Sequence, residues 1–169
     1  MKKYGYWFLF LVALYIIQSS LLPFFSYNRQ SPDLLLLLVV SFSLLEGPKY
    51  GVLMGLGAGL LKALATGTFF GIDAFSFVII AFFIGRFYNQ VFREARFLPL
   101  VASVGATVAH YTIVIIFLLM LGFRFSVLEH IQNYLLPMMI FQFIFSYPIH
   151  RLTVKMDALT RAEWSKNGS

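Results

Sequence analysis

The sequence contains no cysteine, which removes disulfides, thiolate nucleophiles and cysteine metal sites together. Charge is scarce as well: 12% of the 169 residues are Asp, Glu, Lys or Arg, against roughly 25% in a soluble domain. Only seven residues are acidic, and Glu46, Glu94, Asp157 and Glu163 lie beside apolar runs rather than inside them. The chain has no H-E-x-x-H, no phosphate-binding glycine loop, no G-x-S-x-G, no Cys/His cluster and no carboxylate pair at interior depth. Acid–base, nucleophilic and metal chemistry are left without residues to run on. No enzyme, cofactor or metal site is expected.

What the chain has instead is apolar length. Hydrophobic residues make up 60% of it, more than a water-soluble fold of this size can hide. About 20 apolar residues cross a hydrocarbon core about 30 Å thick. The expected fold class is therefore an all-α membrane protein, a six-transmembrane-helix bundle. Residues 1–152 form the membrane domain, with spans at 6–25, 32–45, 48–66, 69–88, 98–121 and 133–152, and 153–169 form a short basic cytoplasmic tail of helix end followed by disorder. The second span is the shortest and the weakest. Turn residues and charges mark the breaks, as in Ser26 to Pro32, Glu46-Gly47-Pro48-Lys49, Thr66-Gly67-Thr68 and Arg93-Glu94-Ala95-Arg96. Pro137 and Pro148 predict a bent sixth helix. The first run follows Lys2 and Lys3 but is too long for a signal peptide and lacks a small-x-small cleavage site, so it is read as a retained helix.

The net charge of +6 does not point to nucleic acid, because the basic residues flank apolar spans where anionic lipid headgroups meet them. With the N-terminus inside, Lys2, Lys3, Lys49, Arg86, Arg93, Arg96, Arg151, Lys155, Arg161 and Lys166 fall on the cytoplasmic side, and only Arg29 and Arg124 fall outside. That partition follows the positive-inside rule and predicts an even number of crossings with both termini cytoplasmic.

Two features stand out within the spans. Gly51, Gly55 and Gly59 form a G-x-x-x-G-x-x-x-G series on one face of the third helix, where a neighbouring backbone can approach closely. This serves helix packing within the chain or a contact with another protein, and a homo-oligomer is left open. Lys62 is the one basic residue well inside a span. It follows Gly51 by eleven residues, which returns it to the same face at about 100° per residue. Asp33 and Asp73 start the second and fourth spans at the same outer depth, so the three residues form a candidate outer-leaflet polar cluster. The competing reading is that Lys62 snorkels to the headgroups. His110 reads either as a proton relay or, more commonly, as a membrane histidine with one interhelical hydrogen bond. Asn89, Gln90, Ser103, Thr107 and Gln142 read as polar contacts between helices.

The stretches Pro32-Asp33-Leu34 to Val40, Glu46-Gly47-Pro48-Lys49-Tyr50-Gly51, Gly55-Leu56-Gly57-Ala58-Gly59-Leu60-Leu61-Lys62, Thr66 to Phe75 and Ile84-Gly85 resemble the rod-shape-determining MreD family. The likeness covers about residues 32 to 87. Where the family often carries an acidic residue after the position of Lys62, this chain has Ala63. The resemblance implies a non-catalytic scaffold of the bacterial cell-elongation (Rod) complex in the inner membrane. Its implied primary partner is MreC, with MreB, RodA and a class B penicillin-binding protein in the same complex. It also implies a fold similar to the substrate-binding (S) subunits of energy-coupling-factor transporters. A vitamin-type transporter subunit is the alternative function, although the first span lacks the Ala-x-x-x-Ala pair typical of the surface that docks their coupling subunit.

Overall fold

The computed structural model describes residues 2–20, 24, 32–67, 71–88, 97–124 and 126–167, and the regular elements among these residues are all helical, with no strand. The helices are α1 (Lys2–Ser20), α2 (Leu34–Glu46), α3 (Pro48–Thr66), α4 (Ile72–Gly85), α5 (Leu98–Met120) and α6 (Val127–His130). A π-helical turn, Ile131–Leu135, then leads into α7 (Leu136–Asn167).

α2 is the centre of the bundle and packs against α1, α3, α4, α5 and α7. Its residues from Leu34 to Leu45 are all buried, the expected place for a helix that is apolar on every side. Because no solvent reaches its first turn, the N–H groups there need protein acceptors. The Asp33 carboxylate accepts from Leu36 N–H at 3.1 Å and Gln18 Oε1 accepts from Leu35 N–H at 3.3 Å. At the other end Gly47 serves as the cap of both α2 and α3. Its φ of +86° suits glycine and lets the chain reverse without a loop. Pro48 then opens α3, where a missing N–H costs nothing. The two ends of the bundle are named below by Asp33 and Glu46.

Many large apolar side chains lie on the surface, and several polar ones lie inside. Leu9, Val101 and Ile140 are 67%, 66% and 63% exposed, while Ser76, Thr107, His110, Gln142, Ser146 and Thr153 are buried. Water-soluble domains rarely show broad apolar patches, and this distribution suits a hydrocarbon solvent.

Several expected boundaries are corrected. Among the described residues only α5 is both long and apolar enough to cross a membrane by itself; Gly5–Ser20, Leu34–Glu46 and Ile72–Gly85 are apolar but shorter. The 13 residues of α2 rise only about 20 Å at about 1.5 Å each. Sheathed by other helices, α2 is shielded from the hydrocarbon along its sides. The fourth helix covers Ile72–Gly85 and stops short of the expected end at 88, since the chain turns at Arg86, while 68–70 lie outside the described residues. The last helix starts at Leu136, with Pro137 in its first turn, and continues unbroken past Pro148 to Asn167. The irregularity is the π-helical turn before it, and 153–167 is helical rather than disordered. The reason is an inward stripe: Ile149, Thr153, Asp157 and Thr160 recur at helical spacing and are buried. The breaks at Ser26 to Ser31 and Arg93 to Arg96, with Asn89 and Gln90, lie outside the described residues.

Candidate functional site

The glycine series of α3 faces two helices of the same chain. A Cβ added at Gly55 would lie 2.9 Å from the Phe77 carbonyl oxygen, and one at Gly59 would meet the Ala74 backbone, both on α4. At Gly51 it would meet the Ser43 side chain on α2. Gly85 extends the seam from the α4 side, where an added Cβ would lie 2.5 Å from Pro48 Cα. With no side chains between them, α3 and α4 touch backbone to backbone. The face of the series is thus occupied by α2 and α4.

At the Asp33 end the same face delivers Lys62 to two carboxylates. Its Nζ lies 2.6 Å from Asp33 Oδ2 and 3.1 Å from Asp73 Oδ1, and 5.2 Å from the centroid of the Phe77 ring. The side chain turns inward and keeps 17% of its surface exposed. α5 joins through His110, whose Nε2 is 3.5 Å from Asp73 Oδ1 and whose Nδ1 is 2.8 Å from Ser76 Oγ. The Ser76 hydroxyl also donates to the Asp73 backbone carbonyl at 3.0 Å, so the direction of its contact with Nδ1 follows the imidazole tautomer. α7 joins through Gln142, whose Nε2 donates to the Asp33 backbone carbonyl at 3.3 Å. One polar cluster therefore ties α2, α3, α4, α5 and α7.

The arrangement is chemically closed. The Lys62 ammonium stands between the carboxylates where a metal ion would otherwise sit, and among the described residues no group of His, Asp and Glu is arranged to hold one. What the cluster can do is lock helices: each carboxylate is held by an ion pair, which matters most where the dielectric is low. The sequence brings Asp33, Lys62 and Asp73 to one depth. It does not show that His110, Ser76 and Gln142 complete the group, because those contacts depend on how α5 and α7 are rotated. The signal that existed was a set of polar residues inside apolar spans. Ser103 and Ser146 form a second α5–α7 contact, with their hydroxyl oxygens 2.7 Å apart.

The Glu46 end holds a smaller charged group that sequence reading missed. Arg161 Nε donates to Asp157 Oδ2 at 2.9 Å and its Nη2 to Glu46 Oε1 at 3.3 Å. Burial, with Glu46 alongside, pushes the Asp157 carboxyl above its ordinary pKa, and Arg161 opposes the shift. These contacts pin the α7 extension to the end of α2.

The family model described as rod shape-determining protein MreD matches residues 1–156. The chain belongs to the MreD family. Members of the MreD family are membrane proteins with a structural, shape-determining role, not enzymes. The match extends well beyond residues 32 to 87, which carry the resemblance in the sequence. No curated protein and no solved structure matches the chain, so the expected likeness to transporter S subunits has no support.

Proposed function

We propose that this chain is a non-catalytic membrane scaffold of the cell-elongation complex, binding MreC and helping couple MreB filaments, RodA and a class B penicillin-binding protein to peptidoglycan synthesis. The observation that carries the reading is the MreD family match over residues 1–156. In this reading the chain crosses the inner membrane six times with the Glu46 end and both termini in the cytoplasm. The charge bias and the apolar exterior support that topology. A scaffold needs a rigid frame more than a reactive centre. The Asp33, Lys62 and Asp73 cluster and the α3–α4 glycine seam supply rigidity, leaving the outer helix faces for partners.

The test is depletion and capture in a rod-shaped host. Depletion is expected to round the cells, and the affinity-purified chain is expected to carry the host's MreC homologue. Normal rods on depletion, or a stoichiometric vitamin in place of MreC, would return the chain to the transporter-subunit class.

A further inference from the structure

α4 and α5 are held together at the Asp33 end and part at the Glu46 end. Near Asp33 they are joined by Ser76 and His110 and by the edge-on Phe75 and Phe117 rings, 5.7 Å apart. Toward Glu46 they enclose an apolar wedge with a cavity of about 420 Å³, floored by Leu44 of the central helix and walled by Ile79, Phe83 and Val101. The hollow exists because α5 offers Ala102, Gly105, Ala106 and Ala109 there. A Cβ added at Gly105 would meet nothing within 4 Å. Unfilled apolar volume forfeits dispersion contacts, and the wedge opens outward, where the solvent is hydrocarbon. An apolar hollow that opens onto hydrocarbon is chemically matched to a hydrocarbon chain.

Charge names the headgroup. Arg86 caps α4 beside the wedge residue Phe83 and is exposed. Its guanidinium carbon lies 4.7 Å from the Phe82 ring centroid and 6.0 Å from that of Phe83, a wedge wall, and among the described residues it meets no carboxylate. A guanidinium held on aromatic faces presents its N–H fork to phosphate oxygens. We propose that the α4–α5 wedge binds one anionic phospholipid, with an acyl chain over Leu44 and Gly105 and the phosphate on Arg86.

The test uses the full chain, purified in mild detergent and titrated with dioleoyl phosphatidylglycerol or dioleoyl phosphatidylcholine under native mass spectrometry. One retained phosphatidylglycerol per chain is expected, with phosphatidylcholine, whose choline cation offsets the charge of the same phosphate, held about tenfold less well. Arg86→Gln should erase the preference between the two lipids. Gly105→Leu fills the hollow and should expel both while helix content and melting temperature are kept. Equal retention of the two lipids by the natural chain, or a Gly105→Leu variant that holds phosphatidylglycerol as before, overturns the proposal. So does a Gly105→Cys variant that crosslinks to a copurified single-span protein in place of lipid. Should Gly105→Leu misfold, the lipid preference of Arg86→Gln decides alone.

Discussion

α4 meets α3 on one side and α5 on the other, and both neighbours offer it small residues with opposite results. Gly55 and Gly59 of α3 let the α4 backbone close in until no atom fits between them, whereas Gly105 and its alanine neighbours on α5 leave a cavity. Small residues permit close approach without compelling it. What decides is the anchoring: α3 follows α2 through the single residue Gly47 and is tied to α4 by Lys62 and Asp73. Among the described residues, the polar and ring contacts that tie α5 to α4 lie at the Asp33 end.

The largest effect should come from closing the tight side. Gly59→Leu has to displace the Ala74 backbone, which cannot rotate away like a side chain, so the cost should exceed the roughly 1–3 kcal/mol usual for overpacking. Loss of folded protein on expression and in detergent melting is the expected outcome. A stable Gly59→Leu chain would mean that α3 and α4 are not in backbone contact.

Lys62→Met comes next. It leaves two buried carboxylates without their ammonium, and losing one partner of a buried ion pair costs about 3–5 kcal/mol. The double variant Asp33→Asn with Lys62→Met should recover part of that loss. Thermal unfolding in detergent measures both, and a Lys62→Met chain as stable as the natural one would place the ammonium among headgroups instead.

The Glu46 end should respond to pH, weakly and in the less usual direction. Burial raises the Asp157 carboxyl in the folded chain, so the stability linked to its protonated form is complete below the ordinary carboxylate value of 3.8. It is lost as pH rises through the raised folded value. Lowering pH from neutral into that window should therefore tighten residues 153–161, by less than about 1 kcal/mol because Arg161 is half exposed. Hydrogen exchange of that segment reads the change, and Asp157→Asn should flatten it.

Smallest of all is the open side. Gly105→Leu should leave stability unchanged or raise it by up to about 1 kcal/mol, since leucine favours a helix interior over glycine. A loss as large as that of Gly59→Leu would erase the contrast between the two faces of α4.

Much of this organisation is legible in the sequence because it is local. Pro48 and Gly67 bracket α3, and a turn of about 100° per residue carries the glycine face on to Lys62. Asp33 and Asp73 each start a helix, so their depth can be read without knowing the fold. The rest depends on long-range packing. Arg161 meets Glu46 across a separation of 115 residues, and no apolar run announces that α7 continues to Asn167. His110 sits in an apolar helix whose rotation only α4 can fix. The α4–α5 wedge was invisible for the same reason, since alanine and glycine in α5 read equally well as seam or hollow.

The chain lacks cysteine, which makes a single introduced thiol an unambiguous reporter of side. Arg124→Cys and Lys155→Cys, each treated in intact cells with a membrane-impermeant maleimide, test most directly whether the bundle crosses the bilayer with its Glu46 end inside. Labelling of Cys at 124 from outside, with 155 reached only after permeabilisation, is the predicted result; labelling of 155 in intact cells would contradict the account.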